Sequence, residues 1–255
     1  AGGLIGELVN GTVQRSYATG AVNGTDYLGG LVGLIGGGGA STQSVIQSYA
    51  TGAVTGTALV GGLAGYLMDF GSIDQVYATG AVTGGLNVGG LIGFSSGDLT
   101  NAFWDVQRSG THVGVGQLIG PGSGSGVGVT TAQMMQRSTF SAWNISGTGG
   151  SSAAWRIYEG QTAPLLRNFL TSLTVTVDNA SRVYDGTHWS GGSGVAYSGF
   201  RMGEDVNDLL GSFSYGGTAQ GARNVGTYSM VGTGQYSGQQ GYDIEFVASS
   251  LTITP

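Results

Sequence analysis

Gly30-Leu31-Val32-Gly33 and, eighteen residues later, Ser48-Tyr49-Ala50-Thr51-Gly52-Ala53-Val54 form a phrase that the chain repeats. Gly-Leu-x-Gly also occurs at Gly3-Leu4-Ile5-Gly6, Gly62-Leu63-Ala64-Gly65 and Gly90-Leu91-Ile92-Gly93. The second half also occurs at Ser16-Tyr17-Ala18-Thr19-Gly20-Ala21-Val22 and Val76-Tyr77-Ala78-Thr79-Gly80-Ala81-Val82. A unit of about 30 residues cannot bury its own apolar face, so it must stack on copies of itself. Between the glycines run apolar stretches of four to six residues, broken by turn signals such as Asn10-Gly11, Asn23-Gly24 and Thr83-Gly84-Gly85. Runs that short are strands rather than helices. The expectation is an all-β chain whose residues 1–120 form a β-solenoid, with a ladder at Tyr17, Tyr49 and Tyr77. Alternation puts Ala50, Gly52 and Val54 on one face and Tyr49, Thr51 and Ala53 on the other. The small and aliphatic set is expected inside.

Residues 100–170 depart from the repeat, beginning with Phe103-Trp104-Asp105, and 121–170 is expected as the closing segment. Thr130 to Arg137 reads as the one short helix, with a threonine cap and good helix formers behind it. Trp143, Trp155, Ile157 and Tyr158 follow, and this aromatic segment is expected to close the open end of the solenoid. From residue 171 the pattern changes again. Leu173-Thr174-Val175-Thr176-Val177 alternates with period two, and about 85 residues with five or six strand candidates suit a separate small β domain.

Composition narrows the function classes. Of 255 residues, 53 are glycine, and only 9% are charged. Fourteen acidic residues stand against eight basic ones, all arginine, and the net charge is −6. Scattered arginines on an acidic chain give no footprint for nucleic acid. They give no basic face for a membrane surface either, and no apolar run is long enough to span a bilayer as a helix. Without lysine there is no Schiff base, no phosphate-loop lysine and no lysine–asparagine crosslink. Without cysteine there is no disulfide, thiol nucleophile or thiolate metal site. The first residues lie inside a repeat and carry no signal-peptide pattern, so a piece of a longer chain is expected.

Each candidate motif has an ordinary structural reading beside its chemical one. Gly93-Phe94-Ser95-Ser96-Gly97 fits the nucleophile-elbow pattern, but no helix pattern follows it. His112 and His188 are the only histidines and lie in different expected domains, so a zinc site is not expected. Glu204, Asp205 and Asp208 are the densest acidic cluster, and their spacing matches no calcium loop. Asp26, Asp69, Asp74 and Asp98 occupy unlike repeat positions, against the paired carboxylates of a β-helix glycosidase. Asn10, Asn23, Asn144 and Asn179 sit in glycosylation-type sequons that double as turn chemistry. Trp104, Trp143, Trp155 and Trp189 could line a sugar surface or fill a core, with Trp189 expected to be the most exposed. The reading is of no catalytic residues, no metal and no cofactor.

The Gly-Leu-x-Gly units with their Tyr-Ala-Thr-Gly phrase resemble the GLUG repeat of filamentous-haemagglutinin-like exoproteins and of some IgA-peptidase-type surface proteins. The stretch from Phe103-Trp104-Asp105 through Thr130-Thr131-Ala132-Gln133-Met134 to Pro164-Leu165-Leu166-Arg167 resembles the usual close of such an array. Residues 171–255 resemble the MBG, or YDG, module at Val183-Tyr184-Asp185-Gly186-Thr187, Ser214-Tyr215-Gly216-Gly217-Thr218, Asn224-Val225-Gly226-Thr227-Tyr228 and Leu251-Thr252-Ile253-Thr254-Pro255. The resemblance implies a right-handed β-helix shaft followed by a β-grasp-like domain. It also implies secretion to the surface of a Gram-negative cell through an outer-membrane transporter. The partner it implies is a host-cell or bacterial surface receptor or glycan. The alternatives are a β-helix carbohydrate-active enzyme and a dedicated glycan-binding module with an aromatic platform near Trp189 or the tyrosine ladder.

Overall fold

The computed structural model describes residues 1–37, 42–119 and 124–255. They divide into two compact units, Ala1–Asn144 and Ile145–Pro255. The expected boundary between 120 and 121 lies outside the described residues.

The first unit is a β-solenoid. Successive copies of each repeat position pair in parallel, so one five-stranded sheet stacks Ile5–Leu8, Val32–Ile35, Ala64–Leu67, Ile92–Ser95 and Val115–Leu118. A second sheet stacks Gly11–Gln14, Gln43–Ala50, Gly71–Ala78, Asp98–Asp105 and Val127–Val129. Register follows the repeat: Tyr17 faces Tyr49, and Tyr49 faces Tyr77.

The glycines of Gly-Leu-x-Gly are there because the rungs touch through their backbones. A Cβ on Gly62 would lie 2.3 Å from the Gly90 carbonyl oxygen, and one on Gly65 would lie 2.5 Å from the Leu28 nitrogen. The leucine between them points inward: Leu31, Leu63 and Leu91 are fully buried in one core with Val32, Ala64 and Ile92. A smaller column of Val22, Val54 and Val82 with Leu28 and Val60 runs beside it.

Each long strand bends at a residue with positive φ, namely Gln47, Gln75 or Asn101. That residue shifts the alternation by one place. Val45 and Ser48 are therefore both buried, and Ala50 and Ala78 join the core while the tyrosines fall on the opposite face. Ala50 and Val54 are inside, as the alternation predicts. Tyr49 and Tyr77 nevertheless lose their solvent, at 3% and 2% exposed, while Tyr17 at the open end is half-buried.

The array continues through Phe103-Trp104-Asp105, although the repeat phrase is no longer recognisable there. Those residues end the strand Asp98–Asp105, with Phe103 opposite Tyr77 and Trp104 opposite Ala78. The helix predicted over 130–137 is a single turn, Thr131–Met134, with a capping box between Thr130 and Gln133, followed by a 3-10 turn at Arg137–Phe140. A further turn, Val106–Ser109, is capped by Asp105.

The segment expected to close the array is divided between the units. Phe140 and Trp143 pack on the ladder side of the solenoid. From Ile145 the chain pairs with the second unit's own strands: Ile145–Ser146 with Trp155–Arg156, and that strand with Leu165–Leu166. Tyr158 and Leu165 belong to the core of Leu173, Val175, Tyr242 and Ile244, which is why the division falls before them.

In the second unit, Thr171–Val177 lies between Val195–Ser198, antiparallel, and Tyr242–Val247, parallel. A four-stranded sheet runs in the order Ala180–Val183, Ser249–Thr254, Gly226–Tyr236, Leu210–Gly216. Residues 171–255 contain no α-helix, only the 3-10 turn Val206–Asp208, so the helix of a full β-grasp fold is absent.

Candidate functional site

The outer face of the first unit carries the tyrosine ladder. Tyr17 and Tyr49 stack at 5.1 Å with an 8° angle between planes, and Tyr49 and Tyr77 at 4.7 Å and 4°. Rings stacked on one another turn their faces to each other and not outward. Trp143 covers the last of them, with its centroid 6.4 Å from Tyr77 and its indole nitrogen donating to the Asn101 carbonyl at 3.0 Å. Burial raises the Tyr77 phenol well above its ordinary range, and raises Tyr49 likewise, with the neighbouring tyrosine adding in each case. The ladder is therefore a packed seam, not the exposed aromatic platform that a glycan-binding module would need there. A second outward set, Tyr27, Tyr66 and Phe94, is more open, with Tyr27 43% exposed.

The candidate chemical motifs have structural explanations. Ser95 is fully buried at the end of its strand, and the next element is the strand Asp98–Asp105, so no nucleophile elbow exists. Asp74 accepts from the Thr100 hydroxyl at 2.9 Å and the Asn101 amide at 2.7 Å, bridging two rungs. Asp205 and Asp208 form the capping box of a 3-10 turn, and Glu204 accepts from the Tyr242 hydroxyl. His188 contacts the Gly221 carbonyl through Nδ1 at 2.8 Å. Trp189, expected to be exposed, is half-buried against the cluster around Met230 and donates to the Gly191 carbonyl at 3.0 Å. Among the described residues no group of three His, Asp or Glu could hold a metal.

One concave feature of the second unit is a groove of about 400 Å³ lined by Arg156, Tyr158, Glu159, Thr233, Gln235, Tyr236 and Phe246, among others. A recess of about 240 Å³ shares Arg156, Gly232 and Phe246 with it. Beneath lies an ion cluster. The Arg156 Nε is 3.2 Å from Asp243 Oδ1, and Arg167 pairs with the other carboxylate oxygen. Arg156 is 3% exposed, also donates to the Gly147 and Ile157 carbonyls, and lies over the Tyr158 ring with its guanidinium carbon 3.8 Å from the centroid. Desolvation lowers its pKa, while Tyr158 and Asp243 hold it up. Nothing in the sequence announces this cluster, because Arg156 and Asp243 are far apart in the chain and no local motif joins them.

Residues 56–83 match the GLUG motif, and residues 173–252 match the MBG domain of the YGX type. No curated protein and no solved structure matches the chain. The GLUG match covers one full coil, from the strand Ala58–Gly61 through Gly71–Ala78 to Val82–Thr83. The MBG domain begins two residues into the strand Thr171–Val177 and ends in Ser249–Thr254. GLUG motif, MBG domain and β-solenoid together fit an adhesin-like surface-protein segment, and neither domain is known as an enzymatic family.

Proposed function

We propose that the chain is a structural and adhesive segment of a large secreted bacterial surface protein. The solenoid serves as a rigid shaft, and the MBG domain follows as a spacer or binding unit. The observation that carries this reading is the in-register stacking of equivalent GLUG positions, from Ile5 to Val32, Ala64, Ile92 and Val115. Each rung is bonded to the next along its backbone, so a stack resists bending and adds length coil by coil. Low charge lets like surfaces stack closely, and a chain without cysteine crosses an envelope unfolded without forming wrong disulfides. The setting is the surface of a Gram-negative cell, reached through an outer-membrane transporter. The partner is a host-cell or bacterial surface receptor or glycan.

The test is titration of the labelled full chain on host cells and on bacterial cells, read by flow cytometry. Saturable binding supports the adhesive part. Binding that never rises above a scrambled-loop control on either cell type rejects it and leaves the shaft role alone.

A further inference from the structure

The groove in the second unit is lined in part by a side-chain amide. Gln235 is 5% exposed and accepts a 2.9 Å hydrogen bond from the Tyr197 hydroxyl through Oε1. Gln235 lines the groove, and its Nε2 makes no hydrogen bond to the described residues and is not fully buried, so it stands open to a ligand. Around it stand three aromatic rings, Tyr158, Tyr236 and Phe246, and at the rim the Thr233 hydroxyl and the Glu159 carboxylate. Tyr158 is fixed by its own bonds, donating to the Tyr242 carbonyl at 2.7 Å and accepting from the Ile244 amide at 3.0 Å.

We propose that this groove binds an uncharged sugar ring of a glycan. This deepens the adhesive reading and rests on it. A pyranose has an apolar face of C–H groups, which packs on aromatic rings, and an equator of hydroxyls, which need both donors and acceptors. The groove offers both kinds of surface, and its volume lies in the range of small-molecule sites, which begins at about 300 Å³. Charge selects against an acidic sugar. The two guanidiniums of Arg156 and Arg167 are offset by Asp243, and the Glu159 and Glu245 carboxylates line the groove and its recess. No net positive charge remains to compensate a carboxylate or sulfate brought out of water. The Gln235 amide donates to a ring hydroxyl, and Glu159 accepts from one.

The experiment applies the full chain to an immobilised array holding lactose, chitobiose, cellobiose and mannobiose beside sialyllactose and heparin fragments. The strongest binder is then titrated against the Gln235 side-chain amide signals by NMR. Two variants accompany it. Gln235→Glu keeps the acceptor for Tyr197 and removes the amide donor, and Thr233→Trp fills the groove from an exposed position. The expected result is saturable binding of a neutral disaccharide that shifts the Gln235 amide. Gln235→Glu should weaken it about tenfold, the loss expected for one hydrogen bond. Thr233→Trp should abolish it, with an unchanged circular dichroism spectrum. Binding of only the acidic glycans, binding unaffected by Thr233→Trp, or no binding to the array overturns the proposal. Cell binding that survives Thr233→Trp would place adhesion elsewhere on the chain and leave the adhesive reading standing.

Discussion

Trp104 occupies the register position of Ala78 on the neighbouring strand, one rung further along the solenoid. An alanine column thus ends in an indole, which lies in the core with Leu91, Leu99 and Val115 and is 5% exposed. Its indole nitrogen donates to the Thr111 carbonyl at 3.0 Å, and a Cβ on Gly90, Gly114 or Gly128 would strike its ring. Three glycines make room for one side chain, which fills the column where the small residues stop. Replacing Trp104 with alanine should cost about 3–5 kcal/mol, the range for emptying a buried aromatic site. Urea denaturation followed by circular dichroism checks it, and a midpoint equal to that of the parent would refute the plug.

The two glycines of a repeat should not tolerate a methyl group wherever a rung lies against them. Gly62→Ala forces a Cβ to 2.3 Å from the Gly90 carbonyl oxygen, a backbone atom that cannot rotate away. The expected loss is about 1–3 kcal/mol or more. Gly6→Ala is the control, because nothing lies within 4 Å of its Cβ position. Thermal melts of the two variants should separate clearly. Equal melting temperatures would mean that the rungs are held by something other than close backbone approach.

Much of this solenoid is legible in the sequence because a repeat states its register openly. A stack of repeats implies an inner apolar column, and Leu31, Leu63 and Leu91 are buried in it, whereas Leu4 of the first copy is exposed. The ladder at Tyr17, Tyr49 and Tyr77 follows from the same spacing. What the repeat does not show is what covers that ladder. The seam is sealed by Phe103, whose place in the array is hidden because phenylalanine replaces tyrosine, and by Phe140 and Trp143, which lie beyond the repeat strands. The closing segment reads as one piece because its aromatics look alike, yet Trp143 serves one core and Tyr158 another. The groove around Gln235 is not legible at all. It is built from segments distant in the chain, Tyr158 and Gln235 among them, and a glutamine in a strand carries no local signal of its surroundings.

The ladder also predicts a pH dependence. Burial raises the Tyr49 and Tyr77 pKa values above the ordinary 10.0, so the folded state holds these phenolic protons more tightly than the unfolded chain. Stability should therefore be unaffected by these groups below about pH 10, and should fall as pH rises above it, where the unfolded state releases protons that the folded state keeps. Absorbance at 295 nm gives the test. Tyr49 and Tyr77 should resist ionisation until the chain unfolds, and Tyr158, Tyr197 and Tyr242, which burial also raises, should titrate late as well. A single smooth titration of all tyrosines near pH 10, with the far-ultraviolet signal intact, would show that the seam admits water.

Asp243 supports the floor of the groove, and its removal should be costly for a stated reason. It is 5% exposed and pairs with both Arg156 and Arg167, and it accepts from the Gly150 amide at 3.1 Å. Asp243→Asn keeps the shape and removes the charge, leaving the buried Arg156 cation without its counter-ion. Breaking a buried pair from one side typically costs about 3–5 kcal/mol, because the remaining charge stays desolvated. The double replacement Asp243→Asn with Arg156→Met removes that stranded charge and should recover part of the loss. Chemical denaturation of the two variants distinguishes the outcomes. If the double variant is no more stable than Asp243→Asn, the cost lies in the hydrogen bonds to Gly150 and Arg167, and the Arg156 charge is not what Asp243 serves.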